Sequence, residues 1–469
     1  MNLIYQVKDK PKFGANLIFA LQQLLAILAA TIAVPSIIGN GMSQSAALFG
    51  AGVGTIVYLL FTKFRSPVFL GSSFAFLGSM AAAFAGAVSV EVGYLGLIIG
   101  AILAGLVYVV IAILVKIVGV EWLNKLMPAV VIGPTVAIIG LSLAGNAVGD
   151  LQSSGTGTAS VNLCILCGLV TLFVTILCST FGKKMARLIP FIIGILAGYA
   201  VAAVFTVIGT ATGNEALKVI NFSVFNSLVE GGVGLHTFFA VPEFTFIKAL
   251  GGFSEITGQY IGTIAAAYVP VALVVFAEHV ADHKNISSII GKDLLKDPGL
   301  SRTLLGDGLA TTLASLFGAP ANTTYGENTG VLALSRVYDP RVIRIAACIA
   351  IVVSFCPKFA ALVSAMPTAT IGGVSLVLYG MISAVGVRNV VENKVDFTNT
   401  RNVIIAALIL VLAIGITYSG SIQIGVVSLS GLAVSSIVGI LLNAILPGND
   451  YEFDAADGSD AATSGNLQV

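Results

Sequence analysis

Long apolar stretches separated by short polar breaks run through almost the whole chain. They cover about residues 15–38, 44–62, 68–86, 93–116, 127–147, 161–180, 189–209, 261–281, 303–318, 327–336, 342–365, 367–387, 402–418 and 423–447, fourteen in all. Most reach the roughly 20 residues that a helix needs to cross a bilayer. Two are irregular: residues 68–86 open with FLGSSFAFLG, and 327–336 is too short to span. The second lies in NTTYGENTGVLALSR, residues 322–336, where Glu327 and Asn328 sit between Gly326 and Gly330. Polar, glycine-punctuated backbone at membrane depth is tolerated only where it lines a cavity.

Seven stretches precede the break at 210–260 and seven follow it. Seven is odd, so two such halves in one chain have opposite orientations. That predicts an inverted repeat with an interrupted segment at corresponding places, the arrangement that marks substrate sites in secondary transporters. Charge agrees with an even count. With the N-terminus inside, 20 of the 23 Lys and Arg fall on the cytoplasmic side, leaving Lys218, Lys248 and Lys358. This is the bias expected of cytoplasmic loops. It predicts a multi-pass inner (plasma) membrane protein with both termini in the cytoplasm.

Composition strengthens the membrane reading. The chain of 469 residues is 57% hydrophobic and 10% charged, with mean hydropathy +1.01, whereas soluble domains are about 25% charged. A net charge of +1 offers no basic field for nucleic acid. The leader MNLIYQVKDKPKFG reads as retained and cytoplasmic, because no small-residue cleavage site follows a short apolar core. The tail from Pro447 is acidic and poor in apolar residues, a composition that predicts disorder. Cys164 and Cys167 form a CxxC without a histidine or second pair, so they read as small apolar helix residues and no metal site is expected.

Ionisable residues inside a span cost roughly 2.5 kcal/mol or more at the bilayer centre and are functional candidates. Glu278 ends the run YVPVALVVFAEHV, and Asp282 follows one helical turn later on the same face. Glu327 opens the tenth segment, Asp307 lies in LLGDGLATT, and Gln22 and Gln23 lie in the first span. Asp282, His279 and His283 also suit a solvated helix end, Asp307 a cap or bend, and the glutamines a bridge between helices; His236 in the external loop suits a solvated side chain. Glu278 and Glu327 fit such readings least. Desolvation disfavours their charged form, so each can hold and release a proton or accept hydrogen bonds from a ligand.

Half-helices beginning near Phe74 and Glu327 would aim free backbone N–H groups into a cavity, where they suit carbonyl oxygens. Carboxylates opposite them suit ligand N–H groups. A planar base alternating C=O and N–H satisfies both. An inorganic anion would be repelled, which disfavours an anion exchanger or channel. Neither HExxH, GxSxG nor a P-loop occurs, so no enzyme chemistry is indicated.

GENTGVLALSR, read as Glu327, Asn328, Gly330, Ser335 and Arg336, resembles the signature of the nucleobase–ascorbate transporter family, with Ser335 in place of Thr. QQLLAILAATIAVP, FLGSSFAF, AEH, GKDLLKDPGL and GGVSLVLYGMISAVGVR extend the resemblance, which is greatest to bacterial uracil permeases. It implies an all-α polytopic membrane protein of fourteen transmembrane segments in two inverted repeats of seven. Segments 3 and 10 would be half-helices preceded by short strands. A core domain (segments 1–4 and 8–11) would move against a gate domain (5–7 and 12–14). The expected layout is a leader (1–14), first repeat (15–209), external loop (210–260), second repeat (261–447) and tail (448–469).

The resemblance further implies proton-coupled uptake of a nucleobase, with uracil the first choice and xanthine or another base the alternative. The proton gradient would replace any cofactor. Partners would be the base, protons, the lipid bilayer and a second copy through the gate domain. Glu278, Glu327, Gly326, Phe74, Tyr325 and Ala30 would bind the base. Glu278, Asp282 and Glu327 would couple the proton. Asn328, Ser73, Ser375, Tyr379 and Asp307 would support them. Two departures stand out: Gln22–Gln23 replaces a Gln–His pair, and Asp282 replaces a histidine of some uracil permeases. Asp282 and Asp307 lean toward xanthine, whereas Glu327 before Asn328 leans toward uracil.

Overall fold

A computed structural model describes residues 13–119, 121–153, 158–183, 186, 189–226, 232–325, 328, 332, 337–420, 422–424 and 427–448. The apolar stretches fold as helices because a helix satisfies every backbone polar group within its own segment. In chain order these are α1 (Phe13–Ile38), α2 (Gln44–Phe61), α3 (Leu77–Ala85), α4 (Val90–Val118), α5 (Ala129–Gln152), α6 (Val161–Phe181), α7 (Pro190–Thr212) and α8 (Gly258–Ile290). The second half continues with α9 (Leu300–Leu316), α10 (Pro340–Ser354), α11 (Pro357–Ser364), α12 (Thr368–Glu392), α13 (Thr400–Ser419) and α14 (Gly431–Ile445).

Local chemistry fixes several ends. Ser43 caps α2 by accepting from Ala46 N at 3.2 Å, and Thr257 caps α8 through Tyr260 N at 3.2 Å. Asp339 caps α10 through Arg341 N at 2.9 Å, with Pro340 in the first turn. Such caps satisfy orphan N–H groups of the first turn. Gly291 ends α8 in the left-handed region, at φ +65°.

Among the described residues, nine helices are long and apolar enough to cross a membrane: α1, α2, α4–α8, α12 and α13. A tenth span arises if α10 and α11 are counted together, although the chain bends by 84° between them. The sequence pattern predicts one continuous span over 342–365; the structure divides it at Cys356–Pro357. Proline both lacks an N–H and clashes with the preceding turn, so a new helix starts there. The expected segment 68–86 is likewise divided, into a three-residue strand and the nine-residue α3. Helices α9 and α14 have 17 and 15 residues. Most of segment 327–336 lies outside the described residues.

Strand β1 (Leu70–Ser72) pairs antiparallel with β2 (Asn322–Thr324), with Leu70 opposite Thr324 and Ser72 opposite Asn322. A second pair, β3 (Ile422–Ile424) and β4 (Val427–Leu429), precedes α14. Around β1 and β2, α9 packs on α4 and α2, and α10 packs on α2 and α1. Elsewhere α12 packs along α5 and α6, α6 on α7, and α13 on α14 and α5. Apolar side chains left exposed on α4, α6, α7 and α13, such as Ile117, Phe173, Val207 and Val411, present the surface that hydrocarbon would cover. Within the 210–260 loop, Phe244 packs on Phe49 and Phe317, and Phe239 stacks on Phe355 at 5.2 Å. These described residues of the loop lie over the ends of α2, α9 and α10.

Candidate functional site

The crossing of β1 and β2 positions the candidate site. Both strands are fully buried, so their polar groups must find partners inside the protein. Thr55 on α2 accepts from Leu70 N at 3.0 Å and lies 3.2 Å from Leu70 O. Ser72 Oγ donates to Thr31 O of α1 at 3.2 Å. Thr311 Oγ donates to Asn322 O at 2.6 Å, and Asn322 Nδ2 to Gly50 O at 3.0 Å. Three helices thereby hold one short ribbon.

The ribbon delivers its flanking residues to one place. Ser73 N donates to Ala321 O at 2.8 Å, and Tyr325 N to Phe69 O at 3.2 Å. Tyr325 Oη then reaches back to Ser72 O at 2.9 Å, crossing so close to Gly71 that a Cβ there would lie 2.5 Å from its ring. Beyond Ser73 the chain enters α3, where Leu77 N donates to Phe74 O at 3.1 Å and Met80 N to Phe76 O at 2.8 Å; the N–H groups at a helix start otherwise lack intrahelical acceptors. Phe74 is buried, and its ring stands edge-on to Tyr379 of α12 at 5.5 Å. Ala30 is buried on α1 beside Thr31, which receives the Ser72 hydroxyl.

The acidic residues come from α8 and α9. Thr324 Oγ donates to Asp282 Oδ2 at 2.6 Å, tying α8 to β2. Glu278 is partly buried one turn earlier on α8. Asp307 is not a helix cap: it lies inside α9, fully buried, with Oδ2 2.7 Å from His279 Nδ1. Asn328 is buried, and its Nδ2 donates to Pro67 O at 3.4 Å. Ser375 and Tyr379 are buried one turn apart on α12. Gly326 and Glu327 lie outside the described residues. The structure thus draws Phe74, Ser73, Tyr325, Asp282 and Tyr379 around the ribbon.

A cavity of about 580 Å³ adjoins this region. Phe74, Ala75 and Ser79 line one side, Ser142 and Asn146 of α5 another, and Thr417, Ser430 and Leu432 a third. The wall is mostly apolar with a few polar groups, as small-molecule sites usually are. Sequence reasoning gave no role to Thr324 or Thr31. The consecutive polar residues Asn322, Thr323 and Thr324 in an apolar setting were the available signal. Among the described residues, no cluster of three or more His, Cys, Asp or Glu suits a metal ion.

Residues 14–422 match a family described as the Permease family. The chain is 40% identical over 448 residues to a uracil permease of Bacillus caldolyticus, covering 95% of both chains. It is 35% identical over 442 residues to a uracil permease of Escherichia coli K12, covering 94% of this chain and 93% of the relative. Among solved structures, the transmembrane domain of a cyanobacterial bicarbonate transporter, BicA, aligns with TM-score 0.60 at 16% identity, over 94% of this chain and all of that one. Murine Slc26a9, an anion transporter, aligns with TM-score 0.59 at 12% identity, over 93% of this chain and 69% of its own. At such identities these two show a shared fold alone.

Proposed function

This chain belongs to the Permease family, and we propose that it is a membrane transporter that carries uracil into the cell together with protons. The observation that carries the reading is whole-length identity of 35–40% to uracil permeases. The buried ribbon, flanked by α3 and by carboxylates of α8, gives that reading a place to act.

In this reading the base sits between Phe74 and Tyr325, beside Ala30. Backbone N–H groups at Phe74, Gly326 and Glu327 hold its carbonyl oxygens. Glu278 and Glu327 accept from its N–H groups, with Asn328, Ser73, Ser375 and Tyr379 in support. The cavity lined by Phe74 and Asn146 is its entry. Protonation of Glu278 neutralises a charge that is costly to move through hydrocarbon, so the loaded carrier can rearrange; Asp282 and Glu327 share the proton coupling. The fourteen segments form two inverted repeats of seven, with both termini cytoplasmic. Segments 1–4 and 8–11 form a core that moves against a gate of 5–7 and 12–14, and the Phe74–Tyr379 contact lies on their boundary.

The anion transporters that share the fold give no support to an anion substrate, because Asp282 and Glu278 would repel one. Expression in cells lacking their own uracil uptake tests the assignment: uracil should enter and unlabelled xanthine should compete weakly. Entry of xanthine in preference to uracil would move the substrate to purines.

A further inference from the structure

His279 and Asp307 make a buried pair between α8 and α9, one helical turn from the residues that bond to the ribbon. Both side chains are fully buried. His279 follows Glu278 on α8, so the two side chains point about 100° apart around the helix. Its Nδ1 lies 2.7 Å from Asp307 Oδ2, and its Nε2 lies 3.0 Å from Thr303 Oγ. The Thr303 hydroxyl is also 3.0 Å from Leu300 O. That hydroxyl has one hydrogen and two acceptors within reach.

Counting hydrogens gives two complete arrangements. When the Thr303 hydroxyl donates to Leu300 O, its oxygen accepts from His279 Nε2–H, and one further proton is shared between Nδ1 and Asp307 Oδ2. When the hydroxyl turns to donate to Nε2, that nitrogen must be bare, Nδ1–H donates to an ionised Asp307, and the pair holds one proton fewer. Uptake of one proton at Nε2 thus converts a buried negative charge into a neutral pair, as the hydroxyl turns and the Nδ1 proton shifts toward Asp307, with no heavy atom displaced.

Other titratable groups pack around this pair. On α8, His283 stacks on His279 with centroids 4.1 Å apart. Its Nδ1 faces His279 O at 2.7 Å and must donate; its Nε2 lies 2.6 Å from Tyr58 Oη of α2, whose hydroxyl donates to Ser66 Oγ at 2.8 Å. Two imidazolium rings stacked this closely would be opposed by like charge. From α4, Tyr108 stands edge-on to His279 at 6.3 Å. Glu278, Asp282 and Lys284 are the other ionisable groups of this stretch of α8, and Asp282 is engaged by Thr324.

We infer that His279, Asp307 and Thr303 form a second proton-binding site, separate from the carboxylates that face the substrate. Its purpose rests on the transport reading, but its test does not. The full-length protein, carrying isotope-labelled histidine, is titrated in lipid nanodiscs without substrate and followed by infrared difference spectroscopy and nitrogen NMR. One histidine should pass from Nδ1–H to Nε2–H as a buried carboxyl group gains its proton. Asp307→Asn should lose the carboxyl signal. Thr303→Val should lose the tautomer change, and Thr303→Ser should restore it; this pair of variants carries the test if Asp307→Asn does not fold. A carboxyl signal that survives Asp307→Asn, or a tautomer change that survives Thr303→Val, overturns the inference. Spectra as expected in nanodiscs that bind no uracil would uphold this site and overturn the substrate reading alone.

Discussion

Phe74 and Tyr379 meet edge to face, 5.5 Å between ring centres and 81° between planes. Phe74 lies between β1 and α3, and Tyr379 on α12, 305 positions later in the chain. Aromatic pairs of this geometry contribute about 0.5–1.5 kcal/mol beyond their buried area. Tyr379→Ala should therefore weaken uracil binding up to about tenfold, since roughly 1.4 kcal/mol is a factor of ten. Tyr379→Phe keeps the ring and should stay within about twofold of wild type. Equilibrium binding of labelled uracil to purified protein checks both.

The Thr324–Asp282 bond, 2.6 Å long and buried, ties α8 to the ribbon. Hydrogen bonds to charged groups contribute about 1.5–3 kcal/mol. Thr324→Val leaves a buried carboxylate short of a donor and should lower the thermal midpoint measurably. Thr324→Ser should recover most of the loss. Thermal unfolding in detergent reads both, and an unchanged midpoint in Thr324→Val would show that the bond is dispensable.

Helices α5 and α12 pack with almost no space at Gly140. A Cβ there would fall 2.0 Å from Tyr379 O and 2.4 Å from Ser383 Oγ. Overpacking of this kind costs about 1–3 kcal/mol, so Gly140→Ala should reduce folded yield. Gly145, five residues on in the same helix, has nothing within 4 Å of its would-be Cβ, and Gly145→Ala should be neutral. Size-exclusion profiles of the two variants make the comparison with helix propensity held equal.

At Gly71 a side chain would strike the Tyr325 ring at 2.5 Å, displacing the tyrosine from its 2.9 Å bond to Ser72 O. Gly71→Ala should abolish uracil binding while the protein remains in the membrane fraction. Retained binding would show that the Tyr325 clamp is not part of the site.

Much of this was legible in the sequence for physical reasons. A span must be apolar for about 20 residues, so α4 or α13 could be read directly. The break at FLGSSFAFLG announced β1 and α3, because helical backbone is abandoned in a membrane only where other partners exist. Pairings between distant residues were not legible. No local pattern places Asp307 against His279, 28 positions away, or Leu70 against Thr324. Asp307 read equally well as a cap, and only the packing of α8 beside α9 shows it to be a buried partner. The 84° bend at Pro357 had a signal in the proline, which the surrounding hydropathy outweighed.

Uptake by the purified protein reconstituted into liposomes tests the central claim most directly. Labelled uracil should accumulate above its external concentration when the interior is made alkaline, and should only equilibrate once a protonophore is added. Glu278→Gln should lose accumulation while unlabelled xanthine competes weakly in the wild type. Accumulation undiminished by the protonophore or by Glu278→Gln, or no uracil entry at all, would contradict the account.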